Sequence, residues 1–203
     1  TGITFEGETF TYDGTAKSIY ITGYLPDEVS VEYVGNNQTT AGTYSVTAKF
    51  TVSDNYNAIE DMTANLIIGK ADYDMTEASW DYTEAFTYNG TTKTVEVTGL
   101  PEGVTVNEYT YNSKINAGTY TASVTFNYDS ENYNTPSLAD LTWTISKAEG
   151  QVDVSAVVTT FTYTGEEKRI SGATGTGEVS YENNSFTNAG DYTVIVNVAE
   201  SDN

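Results

Sequence analysis

Phe10-Thr11-Tyr12-Asp13-Gly14 returns as Phe86-Thr87-Tyr88-Asn89-Gly90 and again as Phe161-Thr162-Tyr163-Thr164-Gly165, at offsets of 76 and 75 residues. A fixed internal period of this length marks a repeat architecture before any single motif is weighed. Ala41-Gly42-Thr43-Tyr44 recurs in the same way as Ala117-Gly118-Thr119-Tyr120 and Ala189-Gly190-Asp191-Tyr192. From the glycine of the first anchor to that of the second the spacing is 28, 28 and 25 residues. The third copy is therefore shorter in its middle, where it also lacks the turn written Gly23-Tyr24-Leu25-Pro26 and Gly99-Leu100-Pro101. Such differences belong in loops.

A third anchor, Asn55-Tyr56-Asn57 and Asn132-Tyr133-Asn134, precedes the last strand expected of each copy, and Ser201-Asp202-Asn203 matches Ser53-Asp54-Asn55. The third copy is thus expected to stop before its final strand. Ile68-Gly69-Lys70-Ala71 and Ile145-Ser146-Lys147-Ala148 close the first two copies, which gives modules 1–71, 72–148 and 149–203. The linkers between them are too short to act as flexible tethers.

Within a copy the alternation has period two. Tyr44, Val46, Ala48, Phe50 and Val52 fall on one face, with Ser45, Thr47, Lys49 and Thr51 on the other. Tyr120, Ala122, Val124, Phe126 and Tyr128 repeat that face, as do Tyr192, Val194, Val196 and Val198. Further runs at Thr4–Tyr12, Ser18–Thr22, Val29–Val34 and Ala64–Ile68 read as short strands, punctuated by Gly, Asn and Pro. The expected fold is all-β: small immunoglobulin-like antiparallel β-sandwiches in tandem, arranged as an elongated rod. A β-grasp-like two-layer module would give similar alternation. The tyrosine of each Ala-Gly-Xaa-Tyr anchor stands where an immunoglobulin-like fold places a corner tyrosine.

Composition narrows the function. Among 203 residues, 29 acidic against 8 basic side chains give a net charge of −21, which repels a phosphate backbone and an anionic membrane surface. Nucleic acid is excluded as a partner, and no apolar run approaches the roughly 20 residues of a membrane span. No cysteine and no histidine are present, so disulfides, thiolate nucleophiles, imidazole bases and the usual zinc ligands are missing. No nucleophile elbow or comparable catalytic motif occurs, and the chain reads as a non-enzyme. With no leader or sorting signal in it, the sequence reads as part of a longer protein.

Three groups of residues invite a chemical reading. Lys17, Lys93 and Lys168 each lie three residues past an anchor glycine. With Asn55 and Asn132 as acceptors, Lys17 and Lys93 are candidates for an intramolecular Lys–Asn isopeptide bond; the plainer expectation is solvated lysines beside carboxylates. Asp72, Asp74, Asp129 and Glu131 are oxygen donors near module junctions and loop tips, the type of ligand Ca²⁺ takes. Solvated acidic loops are the plainer alternative, and no other cofactor is expected. Trp80, Asp81-Tyr82 and Trp143 are candidates for a sugar-binding platform, against core packing for Trp143.

The succession Phe-Thr-Tyr-Xaa-Gly, Gly-Leu-Pro, Ala-Gly-Xaa-Tyr, Asn-Tyr-Asn and Ile-Xaa-Lys-Ala resembles the MBG-type repeats of bacterial surface proteins, over the whole chain. The resemblance implies an extracellular segment, at the cell surface or attached to the wall, whose partners are neighbouring modules of one larger chain. It implies a structural stalk or spacer projecting a distal domain. The second expectation is an adhesin module that binds host or environmental glycan or protein through loops or exposed strand edges.

Overall fold

The computed structural model describes residues 2–202, and these contain strands, turns and loops but no helix. The chain forms two compact units divided inside the second repeat. One unit holds the residues up to Asp81 with Val97–Thr110 and Ser123–Asp140; the other holds Tyr82–Glu96, Tyr111–Ala122 and the residues from Leu141 onward.

In the first repeat, strands β1 (Glu8–Thr11), β2 (Val29–Val34), β3 (Gly42–Val52) and β4 (Met62–Gly69) form one sheet in the order β1-β4-β3-β2. The buried face of β3 carries Val46 and Ala48, both fully enclosed, as the alternation requires. They pack with Leu66 of β4, Phe5 and Ile19, while Phe10, Tyr33, Tyr44 and Phe50 close the margins. The sheet is not purely antiparallel. β1 runs parallel to β4, with Phe10 opposite Ile68, while β4–β3 and β3–β2 are antiparallel. β1 and β4 are far apart in sequence, and the long connection a parallel pair needs is supplied by the rest of the repeat.

Ser18–Thr22 departs from the expected strand. Thr22 bridges Thr4 and Lys17 bridges Gln38, but the stretch between them has no strand beside it. Side chains satisfy its backbone instead. Asn36 accepts from the Ile19 N–H at 2.9 Å and donates to the Ile19 carbonyl at 2.8 Å, and the Tyr33 hydroxyl accepts from Ile21 N–H at 3.0 Å. A buried backbone group needs a partner, not a particular kind of partner.

The same solution recurs down the chain. Asn184 clasps both backbone groups of Ile170, Asn112 donates to the Val95 carbonyl, and the hydroxyls of Tyr109 and Tyr181 accept from Val97 and Ala173. Strand register recurs with it. Tyr120 faces Trp143 as Tyr44 faces Leu66, and Phe86 lies parallel to Ile145 as Phe10 does to Ile68. Tyr33 faces Ala48, Tyr109 faces Val124 and Tyr181 faces Val196.

The Ala-Gly-Xaa-Tyr anchor has a geometric explanation. The hydroxyls of Tyr44, Tyr120 and Tyr192 donate to the carbonyls of Thr40, Asn116 and Asn188, each four residues upstream, at 2.9, 2.7 and 3.0 Å. To reach back, each ring lies over the glycine two residues before it. A Cβ on Gly42 or Gly118 would stand 3.1 Å from the hydroxyl oxygen, closer than ordinary packing allows. Tyr44→Phe is expected to lower stability by about 1 kcal/mol, the net value of one hydrogen bond. Urea unfolding of the single variant and of Tyr120→Phe checks this, and wild-type midpoints in both would contradict it.

Candidate functional site

The most elaborate side-chain arrangement lies where the first repeat ends, within one compact unit. Ala71 pairs with the loop of the Asn-Tyr-Asn anchor: its N–H donates to the Asn132 carbonyl at 3.0 Å, and its carbonyl accepts from Asn134 N–H at 2.8 Å. This is a one-residue parallel bridge between the closing segment of the first repeat and the second repeat.

Asn132 sits at the centre, 7% exposed. Its Oδ1 accepts from the N–H of Ala41 at 2.9 Å, and its Nδ2 donates to Asp129 Oδ2 at 2.8 Å. Asp129 Oδ1 in turn accepts from the N–H groups of Glu131 and Asn132. The Asn132 amide, helped by those two backbone donors, holds the Asp129 carboxyl below the ordinary carboxylate range against the opposing effect of burial. Lys70 Nζ donates to the Ser130 carbonyl at 2.7 Å, and Asn134 Nδ2 to Asp72 Oδ1 at 2.7 Å.

Aromatic rings adjoin this polar centre, the Tyr73 hydroxyl accepting from the Asp129 N–H at 3.3 Å. Tyr133 stacks on Tyr73 at 4.0 Å and 17°, and Tyr12 meets Tyr133 edge-on at 5.4 Å. Tyr128 stands edge-on to Tyr73 at 6.4 Å. Burial, then the neighbouring Tyr12 and Tyr73, push the Tyr133 hydroxyl above the usual phenol range. Tyr12 and Ala41 belong to the first two anchors, so anchors of one repeat receive the third anchor of the next.

Part of this contact recurs further along. Lys147 closes the second repeat as Lys70 closes the first, and its Nζ donates to the Ser201 carbonyl at 2.8 Å and to Glu200 Oε1 at 2.6 Å. Ser201 occupies the place of Ser130 in the repeat. A closing lysine held by the carbonyl of the following repeat's loop serine is therefore found twice.

The candidates from sequence fall as follows. Lys17 Nζ bonds to Asp13 Oδ2 at 2.5 Å and to Thr15 Oγ1 at 2.9 Å, and the Lys17 bond, with those from the hydroxyl and N–H of Thr15, holds the Asp13 carboxyl well below its ordinary range. Lys17, Lys93 and Lys168 share a backbone role, each paired across to residue 38, 114 or 186. Asn55 lies in an exposed turn, and Asn132 uses its carboxamide on Ala41 and Asp129. Asp72 and Asp129 serve the clasp, Asp74 accepts from the N–H and hydroxyl of Thr76, and Glu131 is exposed. Among the described residues no group of three or more acidic side chains converges as metal ligands. Trp143 is fully buried, while Trp80 is half-buried and donates to the Ala139 carbonyl at 3.0 Å. No family model and no curated protein sequence matches the chain.

The depressed Asp129 carboxyl has a signed consequence. A folded-state pKa below the unfolded value of about 3.9 gives stability that is complete above that value and is lost as pH falls through the folded one. The gap in stability between wild type and Asp129→Asn is expected to be constant near neutrality and to close below about pH 4. Thermal unfolding of both proteins between pH 7 and pH 2.5 measures it; a gap independent of pH would contradict the assignment.

Proposed function

We propose that this chain is a structural spacer, part of the stalk of a bacterial extracellular surface protein, in which tandem immunoglobulin-like modules hold a distal domain away from the cell. The observation that carries this reading is the contact made by Lys70 on Ser130 and again by Lys147 on Ser201. A feature that recurs wherever one repeat meets the next serves the joining of modules. A ligand site needs to occur only once. The tyrosine hydroxyl bonds at Tyr44, Tyr120 and Tyr192 support the immunoglobulin-like assignment, being the corner contact of that fold. The resemblance to MBG-type repeats supports the location, and the charge of −21 suits a surface that must resist lateral association.

The test uses the organism that makes the protein. Antibodies to this segment are expected to label intact cells, and removal of residues 72–148 is expected to bring a distal epitope closer to the cell while leaving it displayed. Labelling only after lysis, or an epitope at unchanged distance, would overturn the reading.

A further inference from the structure

The motifs at the two ends of a repeat are partners. Phe-Thr-Tyr-Xaa-Gly stands near the start of a copy and Ile-Xaa-Lys-Ala closes it, and the fold lays one beside the other. Phe10 is opposite Ile68 in the first repeat, and Phe86 is opposite Ile145 in the second. The tyrosine of the motif extends the pairing: the N–H of Tyr12 donates to the Gly69 carbonyl and that of Tyr88 to the Ser146 carbonyl, both at 2.8 Å. In both repeats the two strands run parallel.

Parallel pairing of the entering and leaving strands fixes what tension does. The chain enters β1 at Glu8 and leaves β4 at Gly69, and in a parallel pair these points lie at opposite ends. A pull through the chain therefore slides one strand along the other and loads every bond between them at once. A pull across an antiparallel pair at its open end, as at Val29 and Val52 where β2 meets β3, breaks the bonds one after another. Sliding also has to drag the motif's phenylalanine from its place. Phe10 packs against the buried core of the first repeat, and Phe86 stands edge-on to the fully buried Trp143 at 6.0 Å. A slip of one residue turns the side chains of a strand to the opposite face, so no small displacement relieves the load.

We propose that the paired Phe-Thr-Tyr-Xaa-Gly and Ile-Xaa-Lys-Ala strands form a shear clamp, and that these repeats bear tension along the chain as well as set a distance. The proposal rests on the spacer reading for the source of the tension, since a distal domain pulls on the segment that carries it. It gives the joint recurrence of the two motifs a reason, because neither closes the clamp alone.

Single-molecule force measurement on the full chain tests it, and the absence of cysteine leaves the attachment points free to be chosen. One sample carries Gly2→Cys and Glu77→Cys, which pull the first repeat through its ends. The other carries Ser30→Cys and Thr51→Cys, which pull β2 from β3 near the open end of their pair, where the two residues face each other. All four positions are exposed, and a Cβ on Gly2 meets no atom within 4 Å. At one loading rate the end-to-end sample is expected to need about three times the force or more, because forced unfolding follows the barrier to unfolding and not the equilibrium stability. Once the Thr4–Thr22 and Ala71–Tyr133 bridges have opened, residues 8–69 are expected to be released in a single step. Equal or lower force in the end-to-end sample would overturn the proposal, as would release of β1 in several small steps. Neither result depends on where the protein resides, so the clamp can fail while intact cells are labelled, and labelling can fail while the clamp holds.

Discussion

Replacing Asn132 with alanine is expected to destabilise the protein by about 1–2 kcal/mol, a large effect for a side chain outside the apolar core. The substitution leaves the N–H of Ala41 without its acceptor at 2.9 Å and takes from Asp129 the amide donor at 2.8 Å. Asn132 itself is buried and its bond to Ala41 is part-buried, whereas Asp129 is exposed, so most of the cost falls on the Ala41 N–H. An unsatisfied buried group costs its desolvation, which exceeds the net value of the bond it has lost. The matched residue of the first repeat provides the control. Asn55 stands in the same Asn-Tyr-Asn motif, but its loop is exposed, with Tyr56 at 52%, and Val52 takes the place of Asp129. Asn55→Ala is expected to stay within about 0.5 kcal/mol of wild type. Urea unfolding of the two variants side by side measures the difference; equal effects would mean that Asn132 acts within its own loop and not on the preceding repeat.

Trp143→Ala is expected to cost about 3–5 kcal/mol. The side chain is fully buried, with Phe86 edge-on at 6.0 Å and Tyr120 tilted at 5.4 Å. Its indole N–H donates to the Tyr111 carbonyl at 3.2 Å. Alanine leaves a void among these rings and removes the donor. Trp143→Leu, which installs the residue found at the matched position Leu66, retains part of the contact area and is expected to cost clearly less. Denaturant midpoints rank the three proteins, and an alanine variant within 1 kcal/mol of wild type would show that the indole is not the centre of that core.

The strand pattern was legible because a half-buried strand carries its burial in every second residue. Val46, Ala48 and Ala122 are enclosed where the alternation of their strands placed them. The Tyr44 corner was legible for a related reason, since its hydrogen bond spans only four residues. Ser18–Thr22 misled because its apolar alternation is real while its backbone partners are the side chains of Asn36 and Tyr33. The signal was present: Tyr33 and Asn36 recur as Tyr109 and Asn112 and as Tyr181 and Asn184. Recurrence alone does not distinguish a side chain that faces the core from one that replaces a strand. The parallel placement of β1 against β4 has no local signature, because it depends on where the chain returns after most of a repeat.

The clasp was the least legible feature. Asn132 and Ala41 are 91 residues apart, and the group that Asn132 serves is a backbone N–H with no side-chain identity to read. Ile-Xaa-Lys-Ala and Ser-Xaa-Asn were both visible as recurring motifs, but nothing in either says that the lysine of one meets the serine carbonyl of the other. Lys17 drew attention by being basic in an acidic chain, and its neighbours Asp13 and Thr15 explain it locally.

The central claim is that the loop of one repeat is held by the repeat before it, and the exchange rate of the Ala41 amide hydrogen tests this most directly. Its acceptor belongs to the second repeat, so protection there reports the joint itself. The expected result is slow exchange in the wild-type chain and fast exchange at Ala41 in Asn132→Ala, with the amides of Val46 and Leu66 in the first repeat's core unchanged. Fast exchange at Ala41 in the wild-type chain would show that the two repeats are not clasped, and the spacer reading would lose its support.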